Sequence, residues 1–102
     1  MSALIYCPFP DREAARAIAS QLLDEKLIAC ANILSEVESL FEWNGERGSG
    51  TEVGVLFKTH ADKLTGAVER IAELHPYDAP AVLGWKCEVA GTKTAEWLNR
   101  LV

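Results

Sequence analysis

A chain of 102 residues with a formal net charge of −5 is near the commonest size for one domain, so a single domain over residues 1–102 is expected. With 49% hydrophobic and 25% charged residues it has the make-up of a globular protein with one modest core. Lys and Arg are scattered singly and no apolar run is long enough to span a bilayer, so neither nucleic acid nor a membrane is expected as a partner.

Ala3–Cys7 is a short apolar run closed by Pro8-Phe9-Pro10, and predicts a buried strand. Asp11 then offers a helix N-cap, and Ala15, Ile18, Ala19, Leu22 and Leu23 recur at helical spacing to about Lys26. Leu27–Leu34 reads as a second strand. Val37, Phe41 and Trp43 extend it with period two, and a bulge or bend is expected at Ser35. Asn44-Gly45 predicts a tight hairpin turn, with a longer loop through Gly48-Ser49-Gly50 as the alternative. Val53, Val55 and Phe57 give the return strand. Thr59 and Asp62 have the spacing of a capping box for a second helix, whose stripe is Leu64, Val68, Ile71 and Leu74. A fourth strand is expected at Ala81–Cys87 and a short helix at about Ala95–Leu101.

The order β-α-β-β-α-β plus a terminal helix predicts an α+β fold, a ferredoxin-like split βαβ sandwich with both main helices on one face of an antiparallel sheet. The strands are apolar on both parities, so the helix-free face would present a hydrophobic patch, and a homo-oligomer follows. Trp43 and Phe41 read as interface or core, Trp85 and Trp97 as packing residues, and His60 as a surface residue. Glu36, Glu38, Glu42 and Glu46 read as a solvated strand edge.

The topology would bring Cys7, His75, Tyr77, Asp78 and the Asn44-Gly45 turn to one end of the sheet, and Cys30 and Cys87 to the other. His75-Pro76-Tyr77-Asp78-Ala79-Pro80 is the densest chemistry in the chain, stiffened by two prolines. Cys7, His75 and Asp78 offer a thiolate, an imidazole and a carboxylate to a divalent metal ion. The competing reading makes Cys7 a buried small hydrophobe and His75 a cap on the carbonyls that end the second helix. No nucleophilic constellation or phosphate loop is present, so an enzyme is not expected. Three cysteines without a C-x-x-C pair, and a start at Met1 with no basic leader, predict reduced thiols in the cytoplasm.

Three segments in this order resemble the CutA divalent-cation tolerance family: Leu27-Ile28-Ala29-Cys30-Ala31-Asn32-Ile33, Trp43-x-Gly45 with Glu52 and Lys58-Thr59 after it, and His75-Pro76-Tyr77-Asp78-x-Pro80. Glu96-Trp97-Leu98 is similar to the family's terminal helix. The resemblance covers nearly the whole chain. It implies a tight homotrimer built like the PII signalling trimers, and a link to tolerance of divalent ions and to copper, with Cys7 and His75 at the family's metal-associated positions. A PII-like small-molecule sensor or interaction scaffold without a physiological metal is the alternative. The chain differs from the family pattern at Leu34-Ser35-Glu36, where a proline-glycine kink is common. It differs again at Phe41-Glu42, in place of a Tyr-Trp pair, and at Asp78, in place of a frequent Glu.

Overall fold

Alternation along the first strand sorts its side chains onto two faces. In the computed structural model, which describes residues 1–102, β1 (Ser2–Phe9) fully buries Ala3, Ile5, Cys7 and Phe9 on one face. Leu4, Tyr6 and Pro8 stand half-buried on the other. Helix α1 (Arg12–Asp24) starts where Asp11 accepts a hydrogen bond from the Ala14 N–H at 2.8 Å, and it buries Ala15, Ile18, Ala19 and Leu22. It ends two residues before Lys26, which turns the chain in the left-handed region at φ 61°.

Strands β2 (Cys30–Trp43) and β3 (Glu46–His60) form one long hairpin. Asn44 and Gly45 both have positive φ, 52° and 79°, as the two-residue turn requires. Helix α2 (Ala61–Leu74), strand β4 (Leu83–Lys86) and helix α3 (Thr92–Asn99) complete the chain. The sheet order is β2-β3-β1-β4 with antiparallel neighbours throughout, so the ferredoxin-like arrangement is confirmed. One core joins the sheet's buried face to α1 and α2 through Ile5, Phe9, Leu22, Ile28, Phe57 and Ile71.

The bulge falls between Ile33 and Glu36, and it changes which face the distal hairpin presents. Ile33 pairs with Val55 and Glu36 with Val53, so Leu34 and Ser35 together oppose Gly54. That extra residue inverts the alternation, moving Val37, Phe41 and Trp43 onto the parity of Tyr6 and Leu56. The Arg12 guanidinium donates to the Leu34 carbonyl at 3.1 Å, which ties the irregular backbone to α1.

Several expectations need correction. Gly48-Ser49-Gly50 is regular strand and no loop, and the ring of Phe41 lies directly over Gly48, where a Cβ would come 2.5 Å from Phe41 Cε2. Leu27–Ala29 precede the second strand, β4 is shorter than predicted, and α3 begins three residues earlier. The capping box is absent. Thr59 donates its hydroxyl to the Leu27 carbonyl at 2.7 Å, and the true N-cap is His60, whose Nδ1 accepts from the Asp62 N–H at 3.0 Å. His60 is accordingly buried, contrary to the surface role expected. Trp85 is exposed and stands outside the core of its own chain.

Gly84 sits where β4 passes under α2, and a Cβ there would lie 2.8 Å from Leu64 Cδ1 and 3.2 Å from Val68 Cγ2. Gly84→Ala is expected to cost about 1–3 kcal/mol through overpacking, read as a lower urea midpoint. An unchanged midpoint would mean that the α2–β4 contact yields without strain.

Candidate functional site

The connector that follows α2 is fixed by one histidine ring. Backbone N–H of His75 closes the helix on the Ile71 carbonyl at 2.9 Å, and its side chain then turns away from the helix end. Nε2 lies 2.8 Å from the Pro8 carbonyl oxygen and Nδ1 lies 3.1 Å from the Tyr77 N–H. A carbonyl can only accept and an amide N–H can only donate, so Nε2 carries the proton and Nδ1 offers its lone pair. His75 therefore joins the end of β1 to the connector and does not cap helix carbonyls with its side chain. The ring stacks on Phe9 at 4.7 Å and 20°, and meets Tyr77 at 4.7 Å with a tilt of 51°.

The thiol of Cys7 reaches the same acceptor. Its Sγ lies 3.5 Å from the Pro8 carbonyl oxygen, so thiol and imidazole both donate to one atom. Burial, with the nearby Glu52 carboxylate adding to it, pushes the Cys7 thiol up to about 12. Tyr77 donates its hydroxyl to Glu52 Oε2 at 2.9 Å. Partial burial and then that carboxylate push the phenol up to about 12 as well. Asp78 is exposed and has no hydrogen-bond or ion-pair partner within the chain.

Cys7, His75 and Tyr77 thus meet at one end of the sheet, with Asp78 next to Tyr77 on the outside. Cys30, opposite Lys58 in the register, and Cys87, whose N–H donates to the Ser2 carbonyl at 2.9 Å, lie at the other end. The Asn44-Gly45 turn is displaced from the cluster. Residue 53 pairs with Phe9 at the end of β1, and the seven residues 46–52 carry the hairpin about 23 Å further. Sequence reasoning missed the Tyr77–Glu52 hydrogen bond, which spans 25 positions and has no local pattern.

A metal ion tests this arrangement directly. Ligands must present lone pairs, whereas Cys7 holds its proton and the free lone pair of His75 is taken by an amide. No group of three or more His, Cys, Asp or Glu side chains is placed to hold an ion. Within this one chain, Cys7 and His75 as arranged do not by themselves make a metal site.

A family model described as CutA1 divalent ion tolerance protein matches residues 3–101. A divalent-cation tolerance protein CutA of Thermococcus kodakarensis is 39% identical, over 97% of this chain and 94% of its own. Among solved structures, the divalent ion tolerance protein CutA1 of Ehrlichia chaffeensis superposes with a TM-score of 0.91 at 37% identity, covering 98% of this chain and 94% of that one. A periplasmic divalent cation tolerance protein CutA of Archaeoglobus fulgidus gives 0.92 at 30% identity, covering 99% and 98%.

The Cys7 thiol supplies a test in alkali. Because its folded value is raised from 9.0 to about 12, the stability it contributes is complete below pH 9 and is lost as the pH climbs toward 12. Cys7→Ala is expected to flatten the fall in stability above pH 9, measured by urea unfolding. In the native wild type at pH 8, a disulfide reagent should modify Cys30 and Cys87 and spare Cys7. Rapid modification of all three thiols in the folded protein would contradict the burial.

Proposed function

Because the chain belongs to the CutA1 divalent ion tolerance protein family, we propose that it works as a homotrimeric binding protein in the tolerance of divalent cations. The observation that carries the assembly is the sheet face turned away from α1 and α2. Leu83 is 66% exposed there and Trp85 45%, beside half-buried Leu4, Tyr6 and Leu56. Apolar surface of this kind gains stability by meeting a matching surface, and a second copy supplies one. The outer strands β2 and β4 also leave free edges that a neighbouring copy can extend. Three copies, built like the PII trimers, is the number that the family resemblance implies.

The reading is of binding and not of catalysis, supported by a Cys7 thiol that keeps its proton and a His75 ring with both nitrogens committed. Three free cysteines support a reducing compartment such as the cytoplasm. No helix is long and apolar enough to cross a membrane. Of the candidate set Cys7, His75 and Asp78, divalent-ion contact, copper included, falls to Asp78. Asp78 alone offers it free lone pairs, and the other two would first have to leave the Pro8 carbonyl and the Tyr77 amide. A second reading, a small-molecule sensor without a physiological metal, is favoured by the cleft between the hairpin and the connector.

Light scattering on the purified protein is expected to give three chains per particle, and Leu83→Glu with Trp85→Glu to give one. A wild-type monomer at micromolar concentration would remove the proposal. In calorimetric titration with Cu²⁺ and Zn²⁺, Asp78→Ala is expected to weaken binding while Cys7→Ser and His75→Ala leave it unchanged at neutral pH. Loss of binding in Cys7→Ser, together with a proton released by wild type on ion uptake, would make the thiol a ligand instead.

A further inference from the structure

Helices α1 and α3 both end at an open groove of about 680 Å³. Leu23 and Asp24 line it from the last turn of α1, Lys26 from the turn that follows, and Trp97 and Arg100 from the end of α3. No strand residue does. The groove therefore lies off the sheet face and the strand edges that the trimer reading gives to neighbouring copies. Its walls are fixed in place. The Leu27 N–H donates to the Leu22 carbonyl at 3.0 Å, and the Thr59 hydroxyl to the Leu27 carbonyl at 2.7 Å, which holds the turn around Lys26. Buried Leu98 anchors α3.

We propose that this groove binds the zwitterion of a free α-amino acid with a large apolar side chain. The inference goes beyond the ion-tolerance reading and rests on none of it. Asp24, Lys26 and Arg100 all belong to the lining. The ion pairs of the chain engage Arg47, His60 and Arg70 and leave these three without a partner. The planar fork of Arg100 matches the two oxygens of a carboxylate, and Lys26 adds a second positive charge. At the end of α1 the polarity is reversed. The Asp24 carboxylate stands at the negative end of the helix dipole, and the Asp24 carbonyl has no backbone donor, which suits an ammonium group.

Charge decides between kinds of ligand. A simple anion would meet Asp24 and a chain of net charge −5. A simple cation would meet Lys26 and Arg100. A zwitterion finds a partner for each pole. The rest of the wall is apolar: Leu23 and Trp97, 40% and 37% exposed, with Ile28 and Leu101. A large apolar side chain covers such a surface, and the volume falls within the range of about 300–1,000 Å³ usual for small-molecule sites.

An NMR titration of the full chain with L-phenylalanine, following the Trp97 indole N–H, tests the inference. That resonance is expected to move at millimolar concentration while those of Trp43 and Trp85 stay. Phenylpropionate, without the ammonium, and phenethylamine, without the carboxylate, are each expected to bind about tenfold more weakly or worse. Arg100→Gln should weaken phenylalanine and phenylpropionate and spare phenethylamine. Asp24→Asn should weaken phenylalanine and phenethylamine and spare phenylpropionate. Equal binding of phenylalanine and phenylpropionate would overturn the zwitterion, as would losses that do not sort by ligand charge. An unmoved Trp97 resonance would overturn the site. The Leu83→Glu, Trp85→Glu variant is expected to bind as wild type does. Loss of binding there, with the circular dichroism of the fold retained, would place a neighbouring copy in the groove and equally overturn the inference.

Discussion

An imidazole can serve one donor and one acceptor at once only in a single neutral tautomer, and the ring of His75 is used in that way. Through it, the Pro8 carbonyl near the end of β1 and the Tyr77 amide of the connector become one unit. Phe9 packs flat beneath the ring and Phe57 meets Phe9 edge-on at 6.2 Å, so the unit extends into the core. Every other feature of this end of the molecule is placed relative to it: the protonated Cys7 that shares its acceptor, the Tyr77 phenol, and the carboxylate that phenol donates to. An end built this way is rigid and closed. What it presents outward is Asp78, Tyr77 and the wall of the cleft.

The second organising device is the extra residue at Leu34-Ser35. Without it, Phe41 and Trp43 would take the parity of Ile33, the one that faces the helices. With it, they join the face of Tyr6, Leu83 and Trp85. One inserted residue thus decides both the size of the uncovered apolar face and the aromatic character of the cleft. Arg12 secures the irregular carbonyl from α1, which ties the bulge to the first helix.

Much of this architecture could be read from local pattern. Alternation in Ala3–Cys7, the Asn44-Gly45 pair and the break in period at Ser35 each state their geometry within a few residues. His60 was misread because a polar residue at a helix start usually faces water. The alternation Val53, Val55, Phe57, Thr59 stops one residue short of it, and only the turn of its ring back to the Asp62 N–H makes it the cap. Gly48 and Gly50 imitate a loop, yet Gly48 is a glycine because a ring from the paired strand occupies its side-chain space. At the site, sequence indicated which residues share an end of the sheet. It could not show that His75 and Cys7 donate to a single oxygen, since that depends on pairing residues 67 positions apart.

The distal hairpin extends past the end of β1, and the molecule measures 43 × 26 × 23 Å as a result. Over that reach the ribbon has two strands and no helix of its own chain beneath it, and an isolated two-stranded ribbon is marginal in water. Its order is therefore borrowed. Whatever settles against the ribbon, a sister molecule or a cleft-bound guest, supplies cohesion that the rest of the chain already possesses. The arm should tighten or fray with occupancy while the body beneath stays unchanged, which makes it the moving reporter on an otherwise quiet scaffold.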